Sequence, residues 1–326
     1  MAKRDIHIDV ISGIFIIYMV YYHICQYCGK VSVLHPVFFF FMPWFFYKSG
    51  MYFKHNSNYA EMLKKDARTL LIPFISFGAI GLFVHILIIA IQGDTNWIHY
   101  VSFPKHILLY EIIPGNAPLW FLLSLFIVKN FYNFFVDKIN CWVLIVVCFT
   151  IAYCGYLFEI KIPRWLFNIA LGMCFYVVGS KLRNYQYSKF AFAFSIVICT
   201  CISIFCPSHV DMFPNILKYG NYFVYFFYAI SCVIIINNIS TLPKNKYYKS
   251  LIFKTLTNIG RYSMYYYATH WIWLCIYEAI FADYLGWEKS SQNYLIFMVL
   301  SCFFVLPVIF QLFKNNEVLK KMLGYK

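Results

Sequence analysis

Six ionisable residues fall within long apolar runs of this chain: Asp9, His23, Lys48, His85, His270 and Glu278. At the centre of a membrane helix such a group costs roughly 2.5–3.5 kcal/mol on insertion scales, so those that persist face a cavity or a partner. His23 follows Asp9 by fourteen residues, which returns it to nearly the same side of a helix about 21 Å further along. Asp9 then sits at one mouth of a bundle and His23 past its midplane, where a neutral imidazole can take a proton from a hydroxyl. A hydrogen-bonded packing histidine is the alternative, and spacing alone leaves both open. His270 and Glu278 are eight apart and face roughly one side, with Tyr267 and Ser263 one and two turns before His270. Lys65 and Arg68 stand three apart at a helix start. Arg can grip a phosphate through its bidentate fork and Lys as a point charge, although an ordinary basic flank has the same composition. Lys48 is expected to snorkel to the inner membrane edge and His85 to pack.

These residues need elements to hold them, and the composition says which. Of 326 residues, 62% are hydrophobic and 12% charged, against about 25% charged in ordinary soluble domains. The chain has too little polar surface to face water all round, so disorder, coiled coils and a soluble domain are excluded. The net charge of +14 would suggest nucleic acid in a soluble protein, but here the basic residues lie in short tracts between apolar runs, the positive-inside pattern. No nucleic-acid partner is expected; membrane lipid is. Most of the twelve Cys fall in apolar runs, where Cys is a small buried hydrophobe, and the Cys25-x-x-Cys28 pair lacks a redox or zinc context. No metal is implied. G-x-S-x-G, Walker A and H-E-x-x-H signatures are also missing.

Crossing the hydrocarbon core takes about 20 apolar residues, and ten runs are candidates: 10–28, 32–53, 69–91, 118–136, 141–158, 164–180, 190–207, 219–238, 263–283 and 293–313. The first could pass for a secretory signal but has no small-residue cleavage site and is read as a retained helix. The expected fold is all-α, a polytopic bundle of about ten transmembrane helices forming one domain over 1–326 with no fused soluble domain. With both termini cytoplasmic, nineteen basic residues fall inside and six outside, which supports that orientation. The longest outer loop, about 92–117, carries Asp94, Trp97, His99, Lys105, His106 and Glu111 and runs into Asn116 and Trp120. It could line an outward-facing polar site or serve as a connector anchored by aromatics.

In this order the residues resemble the acyltransferase type 3 family of integral-membrane acyltransferases. Arg4-x4-Asp9-x3-Gly13 followed by His23 is similar to that family's first-span motif. Further matches are Met42-Pro43-x-Phe45-Phe46-x-x-Ser49-Gly50, Lys65-x-x-Arg68-x4-Pro73, Leu119-Trp120-Phe121-Leu122, Leu171-Gly172-Met173 with Gly179, and Gly260-x-x-Ser263 with His270. Two positions depart: Ser12 stands where the family often has a basic residue, and Lys65 replaces the first Arg of an Arg-x-x-Arg pair.

The resemblance implies transfer of an acyl group, commonly acetyl, from cytoplasmic acyl-CoA to a hydroxyl of an extracytoplasmic glycan, in a bacterial cytoplasmic membrane. His23, with Asp9, would be catalytic, His23 acting as general base or as a nucleophile that forms an acyl-imidazole. Lys65 and Arg68 would bind the acyl-CoA co-substrate. Asn116, Trp120, Ser263, Tyr267, His270 and Glu278 are candidates for acceptor or oxyanion contacts. A transporter or flippase for a polysaccharide or lipid-linked substrate is the rival reading, since intramembrane His, Glu and Lys also suit a substrate pathway. Neither acyl chain, acceptor nor oligomeric state is fixed by the sequence.

Overall fold

A computed structural model of the chain describes residues 5–93, 103–110, 112–160, 163–184, 188–213, 215–239 and 250–324. Asp94, Trp97, His99 and Glu111 of the long loop lie outside them, as does Arg4. Apolar runs this long bury their own backbone polar groups only as helices, and the regular elements among the described residues are helices apart from one two-stranded hairpin.

Helix α1 (Ile6–Tyr27) is capped by the Asp5 side chain, which accepts from the His7 N–H. Short α2 (His35–Phe38) and α3 (Phe41–Met51) follow. Helix α4 (Tyr59–Asp66) passes through a π turn at Ala67–Leu71 into α5 (Ile72–Gln92). Then come α6 (Phe103–Tyr110), a 3₁₀ turn at Ala117–Leu119, α7 (Trp120–Phe135), α8 (Cys141–Leu157), α9 (Arg164–Leu182) and α10 (Lys189–Phe205). Strands β1 (His209–Asp211) and β2 (Ile216–Tyr219) pair antiparallel with a register irregularity after His209. The chain continues through α11 (Tyr222–Ile239), α12 (Leu251–Arg261), α13 (Ser263–Glu278) with a π turn at Ala279–Tyr284, α14 (Gln292–Asn315) and α15 (Glu317–Met322).

Among the described residues, six helical segments are long and apolar enough to cross a membrane: 6–27, 59–92, 117–135, 165–182, 222–239 and 292–315. The other four of the ten expected runs form shorter helices. The run 32–53 is broken into α2 and α3, each with a proline in its first turns (Pro36, Pro43). The run 263–283 gives a 16-residue helix before its π turn, and α8 and α10 have 17 residues each.

Close backbone crossings hold the bundle together. A Cβ on Gly260 of α12 would strike the Asp9 carbonyl and the Gly13 nitrogen, and one on Gly13 would strike the Leu256 carbonyl. The α3–α9 crossing is reciprocal: Gly50 abuts the Tyr176 carbonyl and Gly179 the Tyr47 carbonyl. Small residues let membrane helices approach this closely. Trp44 of α3 donates to Asn237 Oδ1 of α11 at 3.0 Å, and Tyr132 of α7 meets Ser180 of α9 at 2.9 Å. Both ties satisfy polar groups that would otherwise be stranded in apolar surroundings.

Candidate active site

Helices α1 and α13 bring His23 and His270 together, 247 residues apart, with Nδ1 of His23 2.8 Å from Nε2 of His270. The two rings are nearly parallel, at 7°. Hydrogen bonding assigns their tautomers. His270 Nδ1 lies 2.9 Å from the Tyr267 carbonyl and 3.1 Å from that of Tyr266. Carbonyls only accept, so His270 Nδ1 carries the proton and its Nε2 is a lone pair. His23 Nδ1 must then donate to it, which leaves His23 Nε2 unprotonated. The dyad thus orients one imidazole and leaves its outer nitrogen as a base or nucleophile, the logic of a base held by a third group. The Trp271 ring meets His23 edge-on at 5.1 Å.

His23 lines a cavity of about 240 Å³ with Tyr22, Gln26, His35, Trp120, His209, Asp211, Tyr267 and Trp271 among its other walls. A second, smaller cavity of about 60 Å³ shares Met19, Met42 and Tyr267 with the first and reaches Ser263 at the start of α13. Two methionines and a tyrosine therefore stand between the histidine chamber and the end of the bundle where α13 begins.

Of the sequence-predicted residues, the structure brings His23, Trp120 and Tyr267 to the larger cavity and Ser263 to the smaller. His270 is fully buried behind His23. Asn116 is fully buried too, and its amide nitrogen donates to the carbonyls of Ala268 at 2.9 Å and Phe77 at 3.4 Å. Both its protons are spent, so it fixes α13 against α5 and has no donor left for an oxyanion. Tyr267 donates to the Pro118 carbonyl, a second tie between the 3₁₀ turn and α13. Glu278 lines neither cavity and pairs with Lys289. Asp9 is buried on α1 at the Gly260 crossing, nearly four helical turns from His23.

Lys65 and Arg68 line neither cavity. Lys65 is exposed; Arg68 is half-buried within the π turn, its Nε buried and without a hydrogen-bond partner. Beside them Asp66 accepts from Lys129 of α7 at 2.6 Å, and the Gly324 backbone packs on the Arg68 and Thr69 backbone. Lys48 corrects an expectation. It does not snorkel to the edge but donates to Ser12 Oγ of α1 at 2.6 Å, with its ammonium 5.2 Å from the Trp44 ring centroid. The cation absent at position 12 is thereby supplied across the helix interface.

Sequence reasoning missed the His35, His209 and Asp211 side of the chamber. His35 Nε2 lies 2.9 Å from His209 Nε2, and His35 Nδ1 lies 2.8 Å from the Tyr18 hydroxyl. Burial, with His35 facing it and Lys218 nearby, holds His209 down at about 3, so it is neutral. Asp211 is loosely paired with Lys218 at 3.8 Å. Burial raises its carboxyl to about 6, against the opposing effects of Lys218 and the Phe213 N–H. His209 and Asp211 lie between apolar runs and His35 close to the start of the run 32–53, so a search for charges deep within the runs passed over them. The usable signal was a proline close to each: Pro36 follows His35 and Pro207 stands two residues before His209.

A family model described as an acyltransferase domain matches residues 5–314. No curated protein and no solved structure matches the chain.

Proposed function

Because the chain belongs to the acyltransferase type 3 family of integral-membrane acyltransferases, we propose that it moves an acyl group, acetyl in the first instance, from cytoplasmic acyl-CoA to a hydroxyl of an extracytoplasmic glycan. The observation that carries this reading is the His23–His270 dyad, with His23 on the wall of a chamber. In the reaction, His23 Nε2 takes the acceptor's O–H proton as the oxygen attacks the thioester carbonyl. The tetrahedral intermediate collapses with cleavage of the C–S bond, and the proton passes from His23 to the departing sulfur. An ester and free CoA result. His270 accepts from His23 Nδ1–H throughout and stabilises the imidazolium that forms, with its own orientation fixed by two carbonyls.

Lys65 and Arg68 fit the CoA phosphates, Arg68 through its unbonded Nε. The basic end of the bundle faces the cytoplasm in this reading, and the smaller cavity marks the line along which the pantetheine arm approaches His23. Asp9 serves at the inner mouth.

Purified protein is expected to release CoA from labelled acetyl-CoA and pass the label to envelope glycan, with His23→Ala inactive. Mass spectrometry of envelope glycans from cells lacking the gene should show the loss of one acetyl increment. Wild-type turnover by His23→Ala would overturn the mechanism; an unchanged glycan mass would overturn the acceptor class.

A further inference from the structure

The chain carries a net charge of +14, yet among the described residues no Lys or Arg lines the chamber beside His23. Asp211 is the one carboxylate among its described walls. His209 is neutral, and the His35–His209 contact of 2.9 Å requires at least one lone pair between them. The other walls are those of a sugar site. Trp120 and Phe213 stack at 5.0 Å and 15°, and Trp271, which meets His23 edge-on, also lines the chamber. Flat apolar faces suit the C–H faces of a pyranose, and a carboxylate with amide and imidazole groups suits its hydroxyls.

The β1–β2 hairpin that contributes these groups is braced. Asn215, in the left-handed region at φ 64°, donates to the Ala152 carbonyl of α8 at 2.9 Å and accepts from the Tyr222 hydroxyl of α11 at 2.6 Å. The Asn221 N–H donates to Ser208 Oγ at 2.9 Å at the hairpin's other end. Asp211 is therefore presented on a fixed element tied to two helices.

From this arrangement we propose that the β1–β2 hairpin is the acceptor-selecting element and that Asp211 makes the chamber specific for uncharged sugars, rejecting uronic acid and phosphate-bearing glycans. Asp211 accepts from sugar hydroxyls while Trp120 and Phe213 support the ring, and an anionic acceptor meets that carboxylate, whose paired cation, Lys218 at 3.8 Å, lies outside the described chamber walls. The proposal rests on the acyltransferase reading for the identity of the chamber, and binding and turnover keep the two separable.

The test uses the full chain in detergent and two probes, the neutral tetramer of N-acetylglucosamine and the anionic tetramer of galacturonic acid, with tryptophan fluorescence as the readout of binding. The neutral tetramer is expected to bind at least tenfold more tightly. Asp211→Asn should weaken it several-fold and narrow the gap between the probes. Gln26→Leu, at an exposed position lining the chamber, should weaken the neutral probe and supports the same conclusion if Asp211→Asn does not fold. His23→Ala should bind normally while releasing no CoA. Equal binding of both probes, tighter binding of the anionic one, or no binding of either at millimolar concentration overturns the proposal. CoA release by the same preparation then shows that the acyltransferase reading stands without it.

Discussion

Removing the His270 ring separates orientation from chemistry, because His23 keeps its own nitrogens and loses only the acceptor of its Nδ1–H. His270→Phe is expected to lower kcat by roughly 10²–10⁴-fold with little change in the acyl-CoA KM, the range seen when the orienting member of a base pair is removed. His270→Gln keeps an amide oxygen that can accept the same proton and should recover part of that loss. Equal inactivity of both variants would reduce His270 to a packing residue. Asp211 makes a different prediction, in stability. Its folded value of about 6 stands above the ordinary 3.8, so the folded state binds a proton more readily than the unfolded one. The burial cost is absent below about pH 4, grows between pH 4 and 6, and is complete above, at about 2–3 kcal/mol. Asp211→Asn should therefore melt higher than the parent at pH 7.5, with the gap closing as pH falls towards 4. A gap constant with pH would show that the carboxylate is not buried at a cost. That a destabilising carboxylate is kept in the chamber wall fits selection for what it binds.

Glycines set how closely the elements carrying these groups approach one another. At the α3–α9 crossing, a methyl on Gly50 or Gly179 meets backbone carbonyl carbon and oxygen rather than a movable side-chain tip. Overpacking of about 1–3 kcal/mol or more is expected, since neither helix can yield without shifting the Trp44–Asn237 and Tyr132–Ser180 ties. Gly179→Ala should accordingly lower the melting temperature in detergent, and a wild-type melt would mean that the crossing is looser than described. Gly93, in a left-handed helix end with open space around its Cβ position, offers a contrast: Gly93→Ala costs only backbone strain. The sequence made much of this level legible. Long runs such as 10–28 and 293–313 read correctly as spanning helices because composition alone decides them. The run 32–53 read as one helix, because hydropathy does not register that Pro36 and Pro43 start new helices. The β1–β2 hairpin was hidden for another reason: its strands of three and four residues are held by Asn215, Ser208 and Asn221 through contacts to α8 and α11 that no local pattern encodes.

Across the molecule, hydrogen bonds and ion pairs sort the connections to two ends. At one, His55 meets Asp137, Asn56 meets Asn133, and Lys129 meets Asp66. At the other, Gln92 meets Asp283, Lys289 meets Glu278, and His35 meets His209. His23 lies on the second side of α1's middle, as its distance in sequence from Asp9 anticipated. Its partner in α13 was not legible, since a polar stripe on one helix does not say which helix it faces. Among the described residues the first end also gathers Lys54, Lys64, Lys65, Arg68, Lys138, Lys181, Arg183, Lys189, Lys254, Arg261, Lys314, Lys320 and Lys321, whereas the second has Lys30, Lys105, Arg164, Lys218 and Lys289. Lys and Arg near helix ends are retained on the cytoplasmic side, so the proposed function takes the His23 chamber as outward and Arg68 as inward. Exposed positions at the two ends make that testable: Lys138→Cys and Glu288→Cys. A membrane-impermeant maleimide applied to intact cells should label Glu288→Cys above the signal of the native cysteines and leave Lys138→Cys at that signal until the membrane is opened. The reverse pattern would place the chamber in the cytoplasm and the basic end outside, and a donor entering from the cell interior could then no longer reach His23 from the Arg68 side.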